Sequence, residues 1–189
     1  MYFTNLKLVF NFTQDRRCLM PNSSAAPVPH EPRLTRDLRT LLATQRVAAL
    51  GTLGENGVPF VSMVPFAVEP LSAALVIHVS ALAAHTRNLQ TSPNVSLLVM
   101  QAEVAGEPVH ALPRVTLIGQ AIVLERDSAE WTQSRAAYLT RFPEAAPMTQ
   151  LGDFMFVAIH LLGARQVAGF GAARSLDADE VKRALQPLP

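Results

Sequence analysis

A single cysteine, Cys18, stands in a chain of 189 residues, so no intrachain disulfide and no thiolate metal cluster can form. That scarcity fits a reducing compartment, and the cytoplasm is the expected location. Net charge is scarce as well. Sixteen Lys and Arg against fifteen Asp and Glu leave a formal charge of +1, which removes the global field that would draw the chain to nucleic acid or to an anionic membrane. Any anion site must therefore be local. No apolar run has the length needed to span a bilayer. The apolar stretch from Met1 to Phe12 is interrupted by Lys7 and followed by Arg16 and Arg17, a pattern that suits neither an anchor nor an export signal. Residues 21–29 are rich in Pro, Ser and Ala, so residues 1–30 are expected to form a disordered leader, with Met20 as an alternative start.

Several chemical signatures are missing too. There is no G-x-S-x-G nucleophile elbow. Gly51, Gly54 and Gly57 do not make a dinucleotide fingerprint, and they precede a strand instead of a helix. No two histidines have the spacing of a zinc site. His78 and His160 each lie inside an apolar strand, where packing is the ordinary role, and His110 lies in a loop as a thin candidate for an axial haem ligand.

What the chain does have is apolar content, 49% of residues, arranged as short strands. An amphipathic helix is expected from Glu31 to Thr44, with Leu34, Leu38, Leu41 and Leu42 on one face. Strands follow at Val47–Leu53 and Val58–Val68, joined by Gly54-Glu55-Asn56-Gly57, whose Asn-Gly pair favours a tight hairpin. Further strands are expected at Ala73–Val79, Val95–Val104, Arg114–Leu124, Phe154–Leu162 and Gln166–Phe170. Short helices are expected at Ala84–Thr91, from an Asp127/Glu130 capping box to Phe142, and after an Asp177/Glu180 box near the end. The second strand is apolar on both faces: Val58, Phe60, Val64 and Phe66 on one, Val61, Met63 and Ala67 on the other. Short connections imply antiparallel neighbours, so a small antiparallel barrel that buries its outer face against a partner accounts for the pattern.

The residues with the most chemistry are Ser80-Ala81-Leu82-Ala83-Ala84-His85-Thr86-Arg87-Asn88-Leu89, where a strand gives way to a helix. Free N–H groups at a helix start attract an anion, Arg87 can add a charge-assisted contact, and Ser80 and Thr86 carry hydroxyl donors. A capped surface helix with an exposed arginine is an equally good account of these residues alone.

From about Leu38 to Arg174 the chain resembles the FMN-binding split-barrel superfamily, which includes pyridoxamine 5′-phosphate oxidase, and within it the first domain of haem-utilisation (HugZ-like) proteins. The resemblance rests on AALGTL with its GENG turn, VPFVSMVPFAV, HVSALAAHTRNLQTSPNVSLLV, LPRVTLIGQA and VAGFGAAR. It implies a mainly β (α+β) fold, an antiparallel split barrel of six to seven strands with flanking helices, over residues 31–175, followed by a short C-terminal helix in 176–189. It also implies FMN as cofactor in an oxidoreductase acting on a small molecule. The alternatives are a haem-binding or haem-degrading protein on the same fold and a non-catalytic flavin carrier. Ser62, Val64 and Pro65 would line the flavin through their backbone. Ser80, His85, Thr86 and Arg87 would hold the phosphate, and Arg114 would reach a flavin across a homodimer. The oxidases carry lysine where this chain has His85, which moves phosphate charge onto Arg87 and makes affinity fall as pH rises through the His85 pKa.

Overall fold

The computed structural model describes residues 31–187, so the leader expected over residues 1–30 lies outside the described residues. Helix α1 (Arg33–Thr44) follows Pro32 and buries Leu38, Leu41 and Leu42. Strands β1 (Val47–Leu53) and β2 (Pro59–Glu69) form an antiparallel hairpin. Asn56 and Gly57 turn it in left-handed conformations, φ 58° and 74°, which is why that pair serves there.

Strand β3 (Ala74–Ser80) pairs with β2 only over Phe66–Glu69. After α2 (Ala84–Thr91) come β4 (Asn94–Met100), β5 (Arg114–Val123), α3 (Ala129–Arg141), β6 (Phe154–Val167), β7 (Ala173–Asp177) and α4 (Ala178–Leu185). The strand order is β3-β2-β1-β4-β5-β6-β7, and a further β3–β6 pairing closes six strands into an antiparallel barrel with β7 added at its edge.

Three expectations about elements change. The two strands expected at Phe154–Leu162 and Gln166–Phe170 are one 14-residue strand, β6, paired with β5 through Val167. A register shift opposite Ile118 and Gly119 takes up Leu162 as an extra residue, so the strand bends there without breaking. A side chain at Gly119 would meet the His160 carbonyl at 2.6 Å, so the close approach needs glycine. The expected Asp127 cap is not formed, because Asp127 is left-handed at φ 65°, and Ser128 caps α3 by accepting from the Trp131 N–H. Strand β4 stops at Met100, short of Val104, where the chain leaves for the loop leading to β5. The Asp177/Glu180 capping box forms as its spacing suggests.

The barrel interior is filled by Leu50, Val64, Phe66, Leu75, Ile77, Leu97, Val99, Val115, Leu117, Val157 and Ile159. A second cluster lies where α3 covers β2, β3 and β6, with Val76, Tyr138, Phe142, Phe156 and Ala158. Strand β3 is therefore buried on both faces. Arg141 ties α3 to the end of α1 by donating to the carbonyls of Leu42, Ala43 and Gln45, with its guanidinium 5.1 Å from the Phe66 ring centroid.

His78 belongs to this second cluster and is 8% exposed. Its ring lies 4.5 Å from that of Phe156 and 5.1 Å from that of Phe154, and its Nδ1 has no hydrogen-bond partner among the described residues. Burial pushes its pKa down to about 4 from an ordinary 6.5. Between those values the unfolded chain holds the proton and the folded chain does not, so stability falls as pH drops through that window and levels off below it. We expect the melting temperature of the wild type to fall by several degrees more than that of His78→Leu between pH 7 and pH 4.5. Parallel curves in differential scanning calorimetry would show that His78 carries no such cost.

Candidate functional site

Because β3 joins β2 only from Phe66 onward, residues 59–65 of β2 have β1 on one side and, among the described residues, no strand on the other. The register decides which backbone groups face that open edge. The Gly54 N–H donates to the Val58 carbonyl at 2.8 Å, and the Phe66 N–H donates to Arg46 at 3.2 Å. Antiparallel pairing alternates, so the even-numbered residues of β2 direct their polar groups to β1 and the odd-numbered ones direct theirs away. The N–H and C=O of Val61 and Met63 thus face the opening, together with the carbonyl of Pro59. Ser62 and Val64 are turned to β1, opposite Leu50 and Ala48, and the Val64 side chain is in the core. Of the three β2 residues named from the resemblance, Pro65 alone directs its carbonyl away from β1, and the pairing of Phe66 with Ile77 sets that carbonyl against the His78 N–H of β3. Val61 and Met63 were missed, although the hairpin turn already determined their parity.

The outer face beside this edge is apolar. Val61 and Met63 are 67% and 65% exposed, and Val47, Leu98, Met100 and Ile118 continue the exposed patch. A groove of about 440 Å³ runs over Val47, Ala49, Val61, Ser62, Met63, Leu98 and Met100. Direct cross-strand partners share a face, so the row Met63, Ala49, Leu98, Thr116 and Arg165 crosses this surface, with Arg114 beside Met100. Two guanidinium groups therefore border an apolar field.

Helix α2 closes the other side of the opening. Asn88 donates to the Thr52 hydroxyl at 2.9 Å, fixing the helix to β1. Thr86 is fully buried and its hydroxyl donates to the Ser80 carbonyl at 2.7 Å. The Ser80 hydroxyl accepts from the Leu82 N–H at 3.2 Å and lies 3.5 Å from the Asp153 carboxylate. Exposed Arg87 folds back to donate to the Leu82 carbonyl at 3.0 Å. The N–H groups of Thr86 and Arg87 return to the Ala83 carbonyl, so those of Ala84 and His85 are the two without an acceptor among the described residues.

The structure brings two of the named residues into direct contact across the opening: Ser62 Oγ and His85 Nδ1 lie 3.0 Å apart. His85 is half-buried, and that burial lowers its pKa from the ordinary histidine value. Burial thus favours the uncharged ring, and moves any pH dependence that His85 brings to anion binding to the acidic side of the ordinary histidine value. Arg114 lies on β5, with β1 and β4 between it and β2, and donates to the carbonyls of His110 and Leu112. Within one chain it does not meet α2. Among the described residues no cluster of three His, Cys, Asp or Glu could hold a metal ion. No described helix is long and apolar enough to cross a membrane.

The family described as "Pyridoxamine 5′-phosphate oxidase" matches residues 34–168. The chain is 31% identical over 150 residues to "Heme oxygenase HutZ" of Vibrio cholerae, which covers 79% of this chain and 84% of that protein. It is 33% identical over 153 residues to "Non-canonical heme oxygenase HOZ, chloroplastic" of Arabidopsis thaliana, covering 76% of this chain and 44% of that one. Among solved structures, a heme binding protein from Mycobacterium smegmatis matches with a TM-score of 0.72 and 30% identity, over 82% of this chain and 62% of the other. The chain thus spans most of HutZ, but less than half of the plant relative and less than two thirds of the mycobacterial protein.

The hydrogen bonds at the start of α2 separate two kinds of residue. Thr86→Val removes the buried donor to Ser80 and should cost about 1–2 kcal/mol in urea denaturation. Arg87→Ala should stay within about 0.5 kcal/mol, because its side chain is exposed. Equal losses for the two would mean that Arg87, like Thr86, holds the turn together.

Proposed function

Since the chain belongs to the pyridoxamine 5′-phosphate oxidase family, we propose that it binds haem on its split barrel, between two copies of the chain, and acts on it as an oxygenase. The observation that carries this reading is the exposed apolar face of Val47, Val61, Met63, Leu98, Met100 and Ile118, with Arg114 and Arg165 at its border. Haem is a broad apolar plate with two carboxylates on one edge, and such a plate needs apolar area and cations placed to one side. A contiguous apolar patch of this kind on a single chain also calls for a cover. A second copy laid over it turns an open groove into an enclosed site. The relatives named as heme oxygenases, each above 30% identity, support the same choice.

In this reading haem is the substrate, and its iron supplies the redox chemistry. The chain's own residues supply position and shelter. The apolar face excludes water from the ring. Arg114 and Arg165 pair with carboxylates. The open edge of β2 offers the Val61 and Met63 N–H groups as fixed donors. Proximity and a dry site are what a protein contributes when the reactive centre belongs to the bound group.

A second reading, an FMN-dependent oxidoreductase acting on a small molecule, draws on the start of α2, where two free N–H groups and Arg87 form a modest phosphate cradle. It is weaker here because the Thr86 hydroxyl proton is committed to Ser80 and burial disfavours the charged form of His85.

Titration of the purified full chain with haemin and, separately, with FMN distinguishes the two. Haemin should produce a saturable Soret band while FMN fluorescence stays unquenched. Quenched FMN with no Soret band would favour the flavin instead. Light scattering should report twice the 20.5 kDa chain mass. Leu98→Glu, which places a charge in the middle of the apolar face, should give a monomer with haemin affinity reduced about tenfold or more. A monomeric wild type that binds haemin fully would remove the shared site.

A further inference from the structure

We propose that Arg114, Thr116, Arg165 and Ser175 form a carboxylate-reading corner of the outer face, so that the chain selects iron porphyrins with carboxylates on one edge against those carrying them all round the ring. The inference rests on the haem reading above and narrows it to a substrate class.

The row that crosses the outer face from Met63 to Arg165 continues onto β7 at Ser175. Thr116 pairs with Arg165 and Arg114 pairs with Val167, so the two arginines are diagonal neighbours on β5 and β6, roughly 7–8 Å apart at the backbone. Thr116 adjoins both, directly across from Arg165 and two residues along β5 from Arg114. The outward positions of β1, of β4 and of residues 59–65 of β2 hold no Asp, Glu, Lys or Arg. Cationic charge on these strands is therefore gathered at one corner of an otherwise uncharged field.

Neighbouring like charges repel, yet neither arginine is in an ion pair among the described residues. Both are aimed by uncharged acceptors. Arg114 donates through Nη1 to the carbonyls of His110 and Leu112, and Arg165 donates through Nη1 to Ser175 Oγ at 3.2 Å. Nε and Nη2 of each have no acceptor among the described residues. Asp177, two residues beyond Ser175, is turned into α4, where it accepts from the Glu180 N–H at 2.8 Å. A guanidinium held in place with part of its fork unused is the partner that a carboxylate fits. A porphyrin with two carboxylates at this corner lays its remaining rim over Val61, Met63 and Leu98, which accept apolar substituents. Carboxylates on that rim would lose water and find no cation, which is costly.

The test is a set of Soret titrations of the full chain with three iron porphyrins: haemin, its dimethyl ester, and coprohaemin, which carries four carboxylates around the ring. Haemin should bind about tenfold or more tightly than either of the others. Arg165→Gln should weaken haemin by a similar factor and leave the affinity for the dimethyl ester unchanged, because the residue and the carboxylates act as a pair. Circular dichroism checks that the variant is folded, and Thr116→Val repeats the comparison at an uncharged member of the corner, with a smaller loss confined to haemin. Equal losses for haemin and its ester overturn the corner. Coprohaemin bound as tightly as haemin overturns the one-edge selection, since the far side of the site would then have to supply cations. A wild type that gives no Soret band with any of the three overturns the haem reading itself.

Discussion

Strand β3 has two partners, and the rest of the structure follows from how it divides between them. It takes β2 over Phe66–Glu69 and β6 over Phe154–Ile159, and that second pairing closes the barrel. The same arrangement leaves the first half of β2 with no partner on one side among the described residues. An unpaired strand edge invites indiscriminate pairing with other chains. Here the edge is short and is bounded by Pro59 and Pro65, which have no N–H to offer. Two donors remain, Val61 and Met63. Two donors are too few to template an added strand, but they can orient a bound group.

The coverage of the two faces is equally uneven. Helix α3 covers β2, β3 and β6 with Tyr138 and Phe142, and Arg141 ties it to the end of α1, so on that side the barrel has its own second layer. On the other side β1, β2, β4 and β5 turn apolar residues outward with nothing over them among the described residues. Burial of a face like this contributes roughly 25 cal/mol per Å², so a chain that leaves it bare forgoes stabilisation unless something else comes to cover it. The two-faced apolar pattern of β2 has two causes as a result. Its second half is apolar because α3 and the barrel interior enclose it. Its first half is apolar because of whatever lies on the outer face.

Much of this was legible in the sequence. The bounds of β1 and α2 agree with their periodicity, and the Asn56-Gly57 turn and the Asp177 cap form where local chemistry puts them. Local signals failed where tertiary pairing overrode them. The strand expected to end at Leu162 runs on through Gly163, because β5 holds β6 in register on both sides of that point. Asp127 had the spacing of a cap but not the backbone conformation. In the candidate site, Ser62 and His85 could each be named from sequence, but their contact spans 23 residues and depends on α2 folding across the barrel opening. Arg87 carried most weight in the sequence reading because its charge is visible there. That its guanidinium is turned to the Leu82 carbonyl is not.

The choice between a phosphate and a haem at this opening comes down to what its polar groups have left to give. A phosphate is held by charge-assisted donors, and its affinity follows the number of donors not already engaged. At the start of α2 the Thr86 hydroxyl proton and one Arg87 donor are engaged, and His85 has been moved toward its neutral form by burial. Burial thus makes His85 a poorer partner for an anion than the lysine of the oxidases. The carboxylates of haem make smaller demands, since a cation at the rim of an apolar face, such as exposed Arg165, can meet one with part of its hydration retained. The start of α2 thus has few donors left for a phosphate, while the outer face offers apolar area with cations at its border.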